Sequence, residues 1–367
     1  MGKTQSLYRG LEGDEIRLLK LDPDGSWSLG YVSLRDAPEY YALSYAWGKG
    51  KASTRVDGRR LSITRSLYEA LRELQRSIQH SKDSMAFQGA EPGSIRIWID
   101  AICIDQKNTH ERNEQVPRMG LIYGSARKVL VWLGPQGDSN ERVEIVTSYA
   151  RQGEQEGSYL KSFQDGAPWT DQQIRDLKDL CIGLPLLTGG RAWFHRLWVI
   201  QEVVLAERSP ILMIGGYQCS LSSLTDLWME LADLNYPEDF KEGKILATYA
   251  SELMMYDLLR DWYRSIKTGK SLEEQLSEIL IKVGKSLVRG KQNEGSGRLL
   301  GGILARTLSD KIVILKGAHL PFLLRATEYD KDSHRYVGTC MVAGELKDEE
   351  YGTEFFAHRT VSQFTLV

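Results

Sequence analysis

An α/β fold, with a parallel or mixed sheet flanked by helices, is predicted by three features of residues 95–134. The first is the run Ile95-Arg96-Ile97-Trp98-Ile99-Asp100-Ala101-Ile102-Cys103-Ile104-Asp105-Gln106. It is too continuously apolar for a half-exposed strand and suits one buried on both faces, set here at 97–102. The second is a helix signal: Asn108 and Glu111 have the spacing of a capping box, and Val116, Met119, Ile122, Tyr123 and Ala126 recur at helical intervals. The third is a second apolar strand at 129–133, ended by Gly134-Pro135. Strand, helix and strand in this span make a βαβ unit with parallel strands and a right-handed crossover. Pro117 falls inside the helical pattern, where it kinks the helix or delays its start.

The remaining elements follow in chain order. Glu15–Leu21 and residues 26–33 read as strands joined by the turn Asp22-Pro23-Asp24-Gly25. Tyr40-Tyr41-Ala42-Leu43-Ser44-Tyr45-Ala46-Trp47-Gly48 is an apolar-aromatic strand that runs into a glycine-bearing loop. Residues 54–56 and 60–63 flank Asp57-Gly58, a two-residue hairpin signal. Leu67, Ala70, Leu71, Leu74 and Ile78 then line one face of a helix, and 79–94 read as a surface loop. Residues 136–190 are polar and read as helix mixed with loop. Residues 191–205 read as one dense helix, with Ile211–Ile214 a further buried strand before Gly215-Gly216. Residues 220–290 have helical periodicity, with Ser271 and Glu274 at capping-box spacing, and Gly295-Ser296-Gly297 marks a hinge. Short strands are expected beyond it at 311–315, 321–325 and 335–342. The expected organisation is an α/β unit over 1–217, a helical segment over 218–294 and a small β-rich subdomain over 295–367.

Composition narrows the function classes. With 367 residues and 42% hydrophobic content, the chain can bury one large core or two smaller ones. A net charge of −2 leaves no basic field for nucleic acid. Four cysteines without metal-ligand spacing suit reduced thiols in a cytoplasmic protein. No apolar run approaches the roughly 20 residues that span a bilayer, and there is no secretory segment. Met1-Gly2-Lys3-Thr4-Gln5-Ser6 matches the short myristoylation pattern, as a chance Met-Gly start also does. Membrane contact is thus expected only if Gly2 is acylated, and one chain would hold weakly. Gly48-Lys49-Gly50-Lys51-Ala52-Ser53 lacks the spacing of a phosphate loop. Six histidines without paired spacing argue against zinc, and nothing local supports Mg²⁺ on Asp100, Asp105 and Glu202. No metal or cofactor is expected.

Four ordered motifs carry a resemblance. Tyr41-Ala42-Leu43-Ser44-Tyr45-Ala46-Trp47-Gly48 is the first, and Trp98-Ile99-Asp100-Ala101-Ile102-Cys103-Ile104-Asp105-Gln106 the second. Glu111-Arg112, Gln115-Val116, Met119, Ile122-Tyr123 and Ala126, leading into Val131-Trp132-Leu133-Gly134, make the third. Trp193-Phe194, Arg196 and Trp198-Val199-Ile200-Gln201-Glu202 make the fourth. Together they resemble the fungal heterokaryon-incompatibility (HET) domain. Gly317-Ala318, Pro321-Phe322-Leu323-Leu324-Arg325 and the stretch from Val337-Gly338 to Gly344-Glu345 are similar to segments that often follow it. The Asp-Pro-Arg-Asp-Lys segment common in longer relatives is missing. The resemblance implies a role in nonself recognition ending in cell death. It also implies a distant likeness to TIR domains, flavodoxin-like modules of which some cleave NAD. In that comparison residues 43–45 and 97–101 match the first two strands, and 193–205 the helix that carries the catalytic glutamate, at Glu202. Fold likeness alone does not establish activity.

On their own chemistry these residues admit two readings each. A carboxylate beside an indole suits glycosidic cleavage, because the departing nicotinamide leaves an oxocarbenium-like ribose whose charge Glu202 can stabilise or whose hydroxyls it can bind, while Trp198 can stack on the base or exclude water. Trp198 and Glu202 lie four apart on the expected helix, with Phe194 one turn back. Equally, Glu202 can be ion-paired to an arginine with Trp198 in the core. Asp100 and Asp105, near a strand's carboxyl end, can bind ribose or cap the following helix. Ser44, Tyr45, Trp47 and Gly48 can line the same crevice or pack as aromatics around a turn. Two functions therefore stand: an NAD-cleaving enzyme with NAD as substrate, or a non-catalytic signalling module acting through self-assembly or a protein partner.

Overall fold

In the computed structural model residues 7–135, 140–160, 163, 169–188, 191–196 and 198–234 are described, with strand segments at 311–313, 322–326, 333–339 and 365–366. Strands β1 (Glu15–Leu21) and β2 (Trp27–Ser33) form an antiparallel hairpin. Its turn is closed by Gly25 N–H donating to the Asp22 carbonyl at 2.8 Å. After β3 (Tyr41–Tyr45) comes the hairpin of β4 (Lys51–Val56) and β5 (Arg59–Thr64). Its turn residues Asp57 and Gly58 have φ of 49° and 71°, as a type I′ turn demands. Helix α1 (Arg65–Gln79) starts where the Thr64 hydroxyl accepts from Leu67 N–H. Then follow β6 (Arg96–Trp98), α2 (Asp100–Cys103), α3 (Thr109–Gln115), α4 (Met119–Gly124) and β7 (Lys128–Trp132). Two long helices, α5 (Asn140–Glu156) and α6 (Asp171–Thr188), precede α7 (Trp198–Val204), β8 (Ile211–Ile214), β9 (Tyr217–Ser220) and α8 (Leu221–Asp233).

Nine strands form one mixed sheet in the order β5-β4-β2-β1-β6-β3-β7-β8-β9. The centre, β6-β3-β7-β8, is parallel throughout and comprises the four strands expected from the apolar runs. Side chains alternate strictly across it. Tyr41, Leu43, Tyr45, Leu130, Trp132, Ile211 and Met213 join α1 in one buried cluster. Ala42, Val129, Val131, Leu212 and Ile214 join α4 to α8 in another. Helices therefore cover both faces, and α8 shares the second cluster through Leu224, Leu227, Trp228 and Leu231. Trp98 and Trp132 are both buried.

Three local expectations need correction. The strand set at 97–102 ends at Trp98, and Asp100–Cys103 turns as a helix. Ile102 and Cys103 then enter opposite clusters, so they stay buried without being extended. Asn108 does cap α3 by accepting from Glu111 N–H at 3.2 Å, but Pro117 breaks the helix outright into a 3₁₀ turn at Val116–Arg118. Residues 191–205 are not one helix. A 3₁₀ turn at Ala192–His195 stops at Arg196, whose backbone is extended, and α7 starts afresh at Trp198. Phe194 is thus not a turn behind Trp198 on the same helix.

Towards the C-terminus, β10 (Lys311–Val313), β11 (Phe322–Ala326), β12 (Ser333–Thr339) and β13 (Thr365–Leu366) form a four-stranded sheet in that order. The expected strands at 311–315, 321–325 and 335–342 overlap the first three over the described residues. The helical expectation at 235–290, the Ser271–Glu274 cap and the hinge at 295–297 lie outside the described residues, as does Gly2. Among the described residues no helix is long and apolar enough to cross a membrane.

Candidate functional site

The parallel strands β3 and β6 are neighbours whose exits diverge. The chain leaving β3 reaches α1 on one face of the sheet, while the chain leaving β6 reaches α4 on the other. Open α/β sheets bind ligands beyond the carboxyl ends of strands whose connections diverge in this way. Ser44, Tyr45, Trp47 and Gly48 stand at the end of β3, and Asp100 at the end of β6. The two ends are tied together by Trp47 Nε1, which donates to Asp100 Oδ2 at 3.1 Å. Trp47 keeps 42% of its surface exposed. Gly48 turns the chain just beyond it at φ 67°, a backbone that residues with a Cβ rarely adopt.

Glu202 comes to Ser44 from α7. Alternation along β3 points Ser44 at the same face as Ala42, which is the face α7 covers through Val199 and Val203. The Ser44 hydroxyl donates to Glu202 Oε2, and Trp193 Nε1 donates to Ser44 Oγ at 2.7 Å. Arg196, on the extended link before α7, donates to the Tyr45 carbonyl. Glu202 is only 3% exposed. Burial pushes its carboxyl up to about 7, aided by the Asp100 charge and opposed by the Arg196 charge and the Ser44 hydrogen bond. Asp100 is likewise raised by burial, against hydrogen bonds from Trp47 and from Ala101 N–H at 2.7 Å. The buried hydroxyl of Tyr45 feels Asp100, Arg196 and Glu202, yet has no partner within good hydrogen-bonding geometry. A carboxyl that titrates near neutrality can serve as acid or base, and its ionised form can stabilise a cation.

Asp105 stands apart from this group. Its carboxylate accepts from Lys107 N–H at 3.1 Å and its own N–H donates to Glu111 Oε1 at 2.8 Å, so it belongs to the turn before α3. Trp198 starts α7, but its side chain lies outside the described residues. Two residues that sequence reasoning passed over, Trp193 and Arg196, complete the group. Both stand in the fourth motif. Their roles depend on Ser44 and Tyr45, about 150 positions away in sequence, as the separations of 149 and 151 attest. Among the described residues no three His, Cys, Asp or Glu side chains are grouped to hold a metal.

Residues 40–202 match the family described as Heterokaryon incompatibility protein (HET). The Neurospora crassa protein called Heterokaryon incompatibility protein 6, OR allele, is 30% identical over 251 residues, covering 58% of this chain and 35% of that protein. The chain thus matches about a third of that relative's length. No solved structure matches.

Proposed function

Residues 40–202 form a heterokaryon-incompatibility (HET) domain, and from that premise we propose that the chain acts in nonself recognition ending in cell death, its HET domain cleaving NAD at the nicotinamide–ribose bond. The observation that carries the chemistry is Glu202, a buried carboxyl pushed up to about 7 beneath the β3–β6 crevice. In the reaction the C1′–N bond breaks and its electron pair leaves with nicotinamide. The ribose becomes oxocarbenium-like, the Glu202 carboxylate stabilises that charge, and water adds with loss of a proton. Asp100 and Tyr45 offer polar contacts to ribose hydroxyls, and the exposed Trp47 ring offers a surface for a base. The protein works in the cytoplasm, where NAD is at hand.

Incubating the purified chain with NAD should release free nicotinamide. Glu202→Gln keeps the shape and should slow that release by at least about 100-fold, roughly 3 kcal/mol in barrier. A second reading is favoured by the 3% exposure of Glu202. In it the Trp193–Ser44–Glu202 network is part of the core, and the domain signals by self-assembly or by binding a protein partner. No NAD turnover by assembled parent, or equal turnover by parent and Glu202→Gln, would select that reading.

A further inference from the structure

A serine hydroxyl has one proton to give and can accept twice, whereas an indole N–H can only donate. Trp193 Nε1, 2.7 Å from Ser44 Oγ, is therefore the donor of that pair. The single Ser44 proton is left for Glu202 Oε2, which accepts it when Glu202 is ionised. Among the described residues Glu202 Oε1 makes no hydrogen bond.

The seat of this relay is fixed on both sides. Tyr123 Oη donates to the Leu43 carbonyl at 3.0 Å, and Arg196 donates to the Tyr45 carbonyl, so the backbone on either side of Ser44 is held. The Trp193 ring stands edge-on to Phe194, with centroids 4.9 Å apart at 88°. Strand β3 itself is clamped between β6 and β7.

We propose that Trp193 and Ser44 are positioning residues that aim Glu202: the indole fills one acceptor site of the serine oxygen and favours its hydroxyl as a donor to ionised Oε2, leaving Oε1 to take the proton lost when water adds. The assignment rests on reading Glu202 as the working carboxyl of the crevice. A network that merely satisfies three buried polar groups would contribute to folding without setting the direction of the Ser44 proton. The two roles separate at Trp193, whose indole N–H is donated to Ser44 and which acts on Glu202 through it.

The test is a ¹³C-carboxyl NMR titration of Glu202 in the full chain, assigned with Glu202→Gln. A hydrogen bond to the charged form favours that form, so its loss raises the midpoint. Ser44→Ala and Trp193→Phe should both raise the Glu202 midpoint by about half a unit or more, while Ser44→Thr, which keeps a hydroxyl, should hold it at the parent value. A parent-like midpoint in folded Trp193→Phe overturns the proposal. If Trp193→Phe does not fold, Ser44→Ala decides against Ser44→Thr, and equal midpoints there overturn it. The titration needs no NAD. A chain that shows these shifts without releasing nicotinamide supports the positioning and sinks the reaction proposed above. Where nicotinamide is released, the pH profile of kcat/KM should move upward with the midpoint.

Discussion

Glu111 and Glu202 are buried to nearly the same depth, at 5% and 3% exposure, and their carboxyls behave in opposite ways. Burial pushes both upward. At Glu111 that push is overturned by Arg17, whose Nη1 and Nη2 donate to the two carboxylate oxygens at 2.5 and 3.1 Å, and by Asp105 N–H, so the group sits below its ordinary range. At Glu202 the compensation is one serine hydroxyl and an arginine charge spent partly on a backbone carbonyl, and the group rises to about 7. Depth therefore does not decide the state of a buried carboxyl; the number and charge of its donors do. Glu111 is built to stay ionised and hold parts together. Arg17 also donates to the Cys103 carbonyl and to Arg9 O, binding the N-terminal segment, the end of α2 and α3 into one knot. Glu202 is built to change state.

The largest effect should come from breaking the Glu111 pair. Arg17→Met removes the guanidinium and leaves a buried carboxylate with one backbone donor, at a cost of about 3–5 kcal/mol in urea melts at neutral pH. A loss under about 1 kcal/mol would mean that Glu111 escapes to water or takes up a proton cheaply, and the contrast between the two glutamates would collapse.

The second prediction uses the sign of each shift. Glu202 is raised from an ordinary 4.5 to about 7, so the folded chain binds the extra proton between those values. Its contribution to stability is complete below about 4.5 and is lost as pH rises through 7. Glu111 is lowered, so its contribution is present above its ordinary value and is lost as acid takes the pH through its depressed one. Folding stability should therefore fall by roughly 3 kcal/mol between pH 4.5 and 8 through Glu202 alone. Glu202→Gln should remove that fall. The variant should match the parent near pH 5 and exceed it at pH 8. An ion-paired Glu202 would give the reverse, with the variant less stable at pH 8.

Much of this contrast was out of reach of sequence. The four central strands were legible because continuous apolar runs, β-branched or aromatic, have few other uses in a chain of this size. The end of β6 was not, because 99–104 is apolar at every position except Asp100, and a run so short fits strand or helix equally. Helices α5 and α6 were blurred for the opposite reason. They bury narrow stripes such as Val143, Val146 and Ala150 within polar surroundings. Strand β9 was missed because Gly215-Gly216 read as an end when it is a hairpin turn joining β8 to β9. Glu202, Ser44, Tyr45, Trp47 and Asp100 were named from their motifs, and they do gather at one place. Asp105 was named with them because it follows the carboxyl end expected for the strand at 97–102, yet the α2 turn carries it away to Glu111. No periodicity reveals that Arg17 is its neighbour's partner, since 94 positions separate Arg17 from Glu111.

The smallest effect divides the two aspartates along the same line. Asp105→Asn keeps the oxygen that accepts from Lys107 N–H and leaves Glu111 with its backbone donor, so stability should change by no more than about 0.5 kcal/mol. Neither the Glu202 midpoint nor the rate of the proposed NAD cleavage should move. Asp100→Asn differs because the Asp100 charge is one of the influences holding Glu202 high. Removing that charge should lower the Glu202 midpoint and shift the pH profile of the proposed cleavage to lower pH. Folding should lose about 1 kcal/mol, since Trp47 and Ala101 donate to different Asp100 oxygens and the single asparagine oxygen can keep only one of them. If Asp105→Asn moved the Glu202 midpoint as far as Asp100→Asn does, the two carboxylates would belong to one electrostatic group. The separation between the knot at Glu111 and the crevice at Glu202 would then be wrong.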